Sequence, residues 1–446
     1  MQAHLLTIAV TQSDLDTIPE VLPGIILNQQ QWQALQELEA FLRGRRKLHL
    51  LTGYAGTGKT TLLQALIKRL RQRGDRRTIA FSAFSNKATK VLDRMAERWG
   101  LDVDCMTCCK LLGLKPDIDP ESGRQVFQPD QNSENRFDRY QLVVVDEASM
   151  INEEMWLLLT DAVSNLYQRT QILFVGDVAQ LPPINERASK VFTEIYDRSE
   201  LTEVVRYGGA IGMLAESIRN QLDNRHLPRF ETDVNGDRTE GVYVVDRRNW
   251  EKLLIRAFQS DSCREDPDYV RVLAYTNARV RALNQQIRTA IYGKDQPRFV
   301  AGERLIANAP CWAGEALLLQ NSGECEVVEA AAGTQGPWQV WFLQVLTDED
   351  RERTLTVLHE SSEAEFKRQL KLLAEERRWR EFWDRKLLFH DLSYAYCLTV
   401  HKAQGSTFQN VFVDIPNTLV NRNIQERNQL LYVAVTRAAA RLFIYQ

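Results

Sequence analysis

The sequence predicts an α/β protein whose parallel sheets carry helices on both faces. Three observations predict it. The first half alternates short β-rich runs with longer helical patterns, the order that makes strand–helix–strand units. Its strand candidates, LVVV at 142–145 and ILFV at 172–175, are unbroken apolar runs, as expected of strands buried on both faces. With 446 residues, 44% of them hydrophobic and 26% charged, the chain has ordinary globular composition and length for about two to four domains.

In chain order the first section reads as a strand from Lys47 to Thr52, a helix from Thr60, a strand from Thr78 to Ala83 and a helix from Lys87. It continues with a strand from Leu142 to Val145, a helix from Glu153 and a strand from Ile172 to Val175. Between Leu112 and Tyr140 the run KPDIDPESGRQVFQPDQNSENR breaks the pattern, because its Pro, Asp, Gly and Asn residues disfavour a core element. Glu121, Ser122 and Gly123 would turn a short hairpin whose return strand carries Val126 and Phe127; a plain surface loop is the alternative.

A second alternating section starts near Leu201, with a strand from Val270 to Ala274 and a helix from Ala278 to Ala290. It resumes at Tyr394 to Val400, Val411 to Asp414 and Leu442 to Tyr445. The intervening block, Arg298 to His390, has Gly-punctuated β-like runs around Trp338 to Val345 and then EAEFKRQLKLLAEERRWREFWDRK. It reads as an inserted β-rich domain with a helical extension, its interleaved charges forming a solvated helix face.

The 56 basic and 59 acidic side chains leave a net charge of −3, so nucleic-acid binding has to be local rather than a global polybasic effect. No apolar run approaches the roughly 20 residues of a membrane helix, and the N-terminal stretch lacks the charged region and cleavage site of a leader; a cytoplasmic protein is expected. The seven cysteines, with Cys105, Cys108 and Cys109 clustered, lack zinc spacing and read as reduced thiols.

GYAGTGKTT, residues 53–61, follows a strand and opens a helix. Gly53, Gly56 and Gly58, with Thr57, let successive backbone amides converge on phosphate oxygens. Lys59 would reach the β- and γ-phosphates, and Thr60, followed by Thr61, would ligate magnesium at the positive end of the helix. LVVVDEASM delivers paired acids at a strand tip, Asp146 to hold magnesium and Glu147 to polarise an attacking water. After such a loop, paired acids indicate hydrolysis rather than simple binding. ILFVGDVAQLPPI is another strand followed by a polar turn containing Asp177 and Gln180, in which Gln180 would sense the γ-phosphate; a strand that simply ends in a Pro-stopped turn is the alternative.

The order of these motifs, followed by LTEVVRY, YTNARVRALNQQIR, TVHKAQGSTF and QLLYVAVTRA, resembles superfamily 1 DNA helicases of the Dda/RecD-like branch over nearly the whole chain. The resemblance implies two RecA-like P-loop domains that bind ATP and Mg2+ in the cleft between them and single-stranded DNA across their tops. It places an ATP-binding domain at 1–200, with a pin-like hairpin (1B) at 113–140. A second RecA-like domain follows at 201–297 and 391–446, interrupted at 298–390 by an SH3-like insertion (2B) with its helical extension. Gln31 in LNQQQ matches the adenine-reading glutamine, with Asn28 where the family usually has Thr. Arg206 and Arg437 match the two arginines that reach the γ-phosphate when the cleft closes.

For the DNA path the resemblance implies Ser85, Asn86 and Lys87, then Thr107, with Cys109 replacing the usual His. On the second domain it implies Thr276, Asn277, Thr399, His401 and Lys402. Hydroxyls and amides suit phosphate contacts, so little base preference is expected. Phe127 is the aromatic available to a pin at a fork junction. The expected function is an ATP-dependent DNA helicase, 5′ to 3′ by resemblance, acting as a monomer with replication or repair proteins as partners. The alternatives are an RNA-directed relative, a translocase that strips proteins without processive unwinding, and a nucleotide-binding scaffold without turnover.

Overall fold

The structure, a computed structural model, describes residues 26–118, 125–130, 133–164, 169–183, 185–204, 209–314, 316–348 and 350–445. Eight strands lie in the first half: β1 (Leu48–Gly53), β2 (Ile79–Ala83), β3 (Asp104–Thr107), β4 (Leu114–Ile118), β5 (Gln125–Pro129), β6 (Leu142–Asp146), β7 (Gln171–Gly176) and β8 (Arg198–Leu201). Six of them form one sheet in the order β3-β2-β6-β7-β1-β8, every pair parallel, as the alternating pattern predicts. Side-chain alternation sorts the strands between two cores. Leu142, Val144, Leu173 and Val175 pack against Leu35, Leu38, Leu63 and Leu66 of the helices Gln29–Arg43 and Lys59–Gln72. Val143, Val145, Ile172 and Phe174 face Met155, Trp156 and Leu159 of the helix Glu153–Ser164.

The excursion after β3 contains the expected hairpin: β4 and β5 pair antiparallel, Pro116 opposite Phe127. The predicted turn residues Glu121, Ser122 and Gly123 lie outside the described residues. Phe127 is not at the tip. It is half-buried on the return strand, its ring edge-on to Phe84 at 6.2 Å, and it packs against the core of the first sheet. Its backbone N–H donates to Glu154 Oε1 at 2.9 Å. A hairpin this short buries its apolar side chains against the domain beneath it, which is why the ring turns inward.

The second sheet uses β9 (Asp233–Val234), β10 (Gly241–Val245), β11 (Val270–Ala274), β19 (Cys397–Thr399), β20 (Phe408–Val413) and β21 (Ala438–Tyr445), in the order β19-β11-β20-β21-β10-β9. All neighbours are parallel except β9 and β10. One face carries Trp250, Leu254, Leu283 and Ile287; the other carries the helix Ile424–Val435, buried along its whole second half from Asn428.

Between β11 and β19 come β12 (Arg304–Ala307), β13 (Cys311–Ala313), β14 (Ala316–Leu319), β15 (Glu324–Gln335), β16 (Trp338–Thr347), β17 (Glu352–Leu358) and β18 (Leu392–Tyr394). They give an antiparallel sheet, β17-β16-β15-β12-β18, and the small hairpin β13–β14. β18 pairs with β12, so the single strand read at 394–400 is two, and the chain rejoins the second sheet at Cys397 rather than at 391. The charged extension forms helices Glu360–Glu375 and Trp379–Lys386; the first buries only Phe366 and Leu373 and the second no residue. Phe366 seats on Trp338 at 5.1 Å and thereby holds the extension to the long β15–β16 hairpin.

Candidate nucleotide site and nucleic-acid track

Parallel strands end at one edge, and that edge carries the chemistry. Thr52 is in register with Gly176 and Ala83 with both Asp146 and Thr107, so the segments after β1, β2, β3, β6 and β7 leave the sheet together. The loop after β1 passes through Gly56 and Gly58, both at φ 80°, before the helix Lys59–Gln72 begins. A side chain at Gly58 would collide with Gln31 Nε2. Gln31 is buried, donates to the Thr57 carbonyl at 3.0 Å, and closes a reciprocal cap with Asn28 at the start of its own helix. Thr57 is fully buried and its hydroxyl donates to Tyr54 O at 2.9 Å. The Lys59 ammonium lies within the loop, donating to the carbonyls of Gly53 at 2.6 Å and Tyr54 at 3.0 Å. Thr60 and Thr61 occupy the first turn of the helix, half-buried.

At the tip of β6, Asp146 Oδ1 accepts the Glu147 N–H at 2.9 Å. Glu147 sits at φ 53°, a left-handed conformation that costs a non-glycine residue about 1 kcal/mol. Burial pushes its carboxyl up to about 7 and the neighbouring Asp146 adds to that, while Arg437 and Lys59 pull the other way. Burial likewise raises Asp146, opposed by its bond to the Glu147 amide and by Lys59. A carboxylate poised near neutrality is suited to accepting a proton. Glycine amides, an ammonium, the Thr60 hydroxyl and the Asp146 carboxylate are hard-oxygen and anion-binding chemistry, which fits a phosphate with magnesium. Among the described residues no group of three His, Cys, Asp or Glu side chains gathers as a metal cage, and a magnesium held through phosphate oxygens needs none.

The second sheet closes over this edge. Arg437 is buried; its guanidinium donates to Val433 O at 3.1 Å, Ser406 O at 3.0 Å and Thr436 Oγ1 at 3.2 Å, and its charge is felt at Glu147. Gln180 is buried on the turn after β7. Gln429 Nε2 donates to its carbonyl at 3.1 Å, and Gln404 Nε2 donates to Leu181 O at 3.3 Å. Arg206 lies outside the described residues.

Sequence reasoning placed Asp177 in the polar turn without a role and passed over Gln404, Gln429 and Tyr432; all four stand at this junction. Gln429 and Tyr432 recur at helical spacing on one face of their helix, and that periodicity is the signal that would have found these two.

Three of the track hydroxyls turn out to be helix N-caps: Ser85 accepts from Ala88 N–H at 3.2 Å, Thr107 from Lys110 N–H at 3.2 Å and Thr276 from Arg279 N–H at 3.3 Å. Asn86 and Asn277 are the first residues of the helices that Ser85 and Thr276 cap. Ala274 is in register with Thr399, which brings Thr276 and Asn277 to the same edge as His401 and Lys402. Thr399 Oγ1 accepts from Lys402 N–H at 3.3 Å, and Lys402 Nζ donates to Asn308 Oδ1 at 2.6 Å. Burial lowers both the His401 and the Lys402 pKa, with Glu426 and Asp391 respectively opposing. Lys87 is engaged elsewhere. Its ammonium pairs with Glu324 at 3.3 Å and Asp268 at 3.7 Å and lies over the Phe408 ring, so it bridges the first sheet's helix to the insertion and the second sheet. Cys109 is half-buried, its thiol pushed up to about 12 by burial.

Residues 26–231 match the family profile described as an AAA domain, and residues 394–445 match the UvrD-like helicase C-terminal domain; together they span more than half of the chain. The ATP-dependent DNA helicase dda of Enterobacteria phage T4 is 26% identical over 90% of this chain and 95% of its own. The chain belongs to the superfamily 1 helicases of the Dda/RecD type. An uncharacterised protein of Acanthamoeba polyphaga mimivirus is similar to the same degree, 26% identical over 93% of this chain and 98% of its own. The fold of this helicase family is seen in the Bacteroides Pif1 helicase structure. It aligns with a TM-score of 0.50 at 16% identity and covers 94% of this chain and 92% of that one.

Proposed function

We propose that the chain is an ATP-dependent DNA helicase that hydrolyses ATP between its two parallel sheets, moves 5′ to 3′ along single-stranded DNA and parts the duplex at a fork. The observation that carries this reading is the junction itself, where residues from the far end of the sequence, Gln429, Tyr432 and Arg437, close over the phosphate loop, Glu147 and the turn after β7.

In this reading the amides of Gly53, Gly56, Thr57 and Gly58 and the Lys59 ammonium hold the phosphates, Thr61 extends that wall, and Gln31 reads the adenine edge. Thr60 and Asp146 hold magnesium, which supplies charge neutralisation at the phosphate oxygens when bound. Glu147 takes the proton of the attacking water. Gln180 registers the γ-phosphate, and Arg206 and Arg437 stabilise charge that develops there once the cleft shuts. Loss of the phosphate relaxes the cleft, and that motion passes to the DNA grip.

The grip consists of Ser85, Asn86 and Thr107 on one sheet edge and Thr276, Asn277, Thr399, His401 and Lys402 on the other. The capping hydroxyls of Ser85 and Thr107, which accept from backbone amides, retain their own protons for phosphate oxygens, that of Thr276 is shared with Asn417, and the helix N-termini add positive potential. Lys87 joins the track when it leaves Glu324. The 1B hairpin meets the fork, and Phe127 supports it from below. Among the described residues no helix is long and apolar enough to cross a membrane. The enzyme works as a monomer in the cytoplasm, with replication or repair proteins as partners.

The test is steady-state ATP hydrolysis with single-stranded DNA or RNA of matched length. The reading predicts strong stimulation by DNA. Equal stimulation by RNA points to an RNA-directed enzyme, and absence of turnover with either points to a scaffold.

A further inference from the structure

The phosphate loop is itself gripped by the second half of the chain. The Ala55 N–H is shared between Tyr432 Oη and Asp177 Oδ2, each at 2.9 Å. The Tyr432 hydroxyl in turn donates to that same Asp177 oxygen at 2.7 Å. Its single proton therefore goes to the carboxylate and a lone pair goes to the loop. Asp177 Oδ1 is fixed from the other side by the Ala179 N–H at 2.9 Å. Tyr432 is 1% exposed, so these bonds form away from water, where each partner depends on the others. Burial and the Asp177 carboxylate hold the phenol proton well above the usual tyrosine range.

The preceding loop residue is held as well. The Tyr54 ring lies 3.7 Å beneath the Arg219 guanidinium, which also pairs with Glu216 at 3.1 Å. Consecutive residues of one loop are thus tied to two helices of the second half, Ala210–Arg219 and Ile424–Val435.

We propose that Tyr432 is a positioning residue for hydrolysis: the Ala55 amide and Asp177 bond within the first half, and the Tyr432 hydroxyl clamps that pair when the two sheets dock, so that the phosphate loop is fixed in its working shape in the closed cleft. The proposal rests on the nucleotide-site assignment above and adds to it a direct readout of closure by the loop, distinct from the arginines assigned there to the phosphate. Tyr432→Phe isolates it, because the ring that fills the core stays and only the bridging oxygen leaves.

The experiment measures ATP hydrolysis by the full chain at saturating oligothymidylate across a range of ATP, for wild type, Tyr432→Phe, Asp177→Asn and the double variant, with thermal midpoints alongside. The expected result is a fall of about tenfold in kcat for Tyr432→Phe, with KM for ATP within about threefold of wild type and no change in the midpoint. Adding Asp177→Asn then lowers kcat little further, because the two groups act as one unit. Wild-type kcat in Tyr432→Phe overturns the proposal, as do fully multiplicative losses or a loss that tracks a lowered midpoint. A wild-type chain without DNA-stimulated turnover overturns the enzyme assignment and this proposal with it.

Discussion

Gly405 lies against Glu147: a side-chain carbon built on it would stand 3.8 Å from Glu147 Oε1 and 3.3 Å from the Ala88 side chain. Gly405 belongs to the second half and holds φ 71°, where any other residue is strained. The positive φ and the tight approach to Ala88 are what call for glycine here, while the gap to the acid at the tip of β6 is an ordinary contact distance. Gly405→Val is expected to prop the junction open and to lower DNA-stimulated ATP turnover by about tenfold or more, with nucleotide affinity within about threefold. Fluorescent-nucleotide titration beside steady-state kinetics checks the split; unchanged turnover would show that the sheets do not need this approach.

Glu147→Gln keeps the shape of the side chain and removes its capacity to take a proton. Hydrolysis is expected to slow by about 10²–10⁴-fold, the usual worth of a positioned base, while nucleotide and magnesium still bind. Single-turnover hydrolysis and equilibrium binding measured on the same preparation decide it, and loss of binding together with turnover would assign Glu147 to the binding wall instead.

Much of this architecture was legible in the sequence because buried parallel strands write themselves as apolar runs: LVVV and ILFV became β6 and β7 in the middle of the first sheet. The phosphate loop and the Asp146–Glu147 pair were legible for a different reason, since their chemistry fixes residue type and spacing locally. The orientation of Phe127 was not, because β4 and β5 are too short to reveal which face meets the domain below. Nor was the partner of Lys87, because Glu324 is 237 positions away and only the folded insertion brings it near. The sequence from Tyr394 to Val400 reads as one β-like run across a change of sheet, its first residue ending β18 and the rest carrying β19.

Phe127→Ala is expected to lower stability by about 2 kcal/mol, the scale of removing a half-buried aromatic ring, through lost contact with Phe84 and the first core. Unwinding and single-stranded-DNA-stimulated ATPase should then decline together at elevated temperature. Selective loss of unwinding at full stability would instead place the ring at the fork.

Glu324 gives a pH signature. Burial alone would raise its pKa, but Arg271 at 3.0 Å and Lys87 at 3.3 Å outweigh that and hold the carboxyl down to about 2. A depressed carboxylate contributes stability that is fully present above its unfolded value near 4.5 and is lost as pH falls through the folded value. Glu324→Gln should therefore cost on the order of 3 kcal/mol at pH 7, and the gap from wild type should narrow between about pH 4.5 and 2. Denaturant melts at stepped pH read this out, and a gap that stays constant would mean that the ion cluster adds nothing to the docking of insertion on helix.

Strand displacement on a short duplex tests the central claim most directly, with a 5′ or a 3′ single-stranded tail and ATP with magnesium, comparing wild type with Lys59→Ala. The account predicts displacement by wild type on the 5′-tailed substrate, little on the 3′-tailed one, and none by Lys59→Ala, whose lost ammonium donates to the Gly53 and Tyr54 carbonyls in the folded chain. Wild-type displacement that persists without ATP or in Lys59→Ala, or its absence on both tailed duplexes, would contradict it.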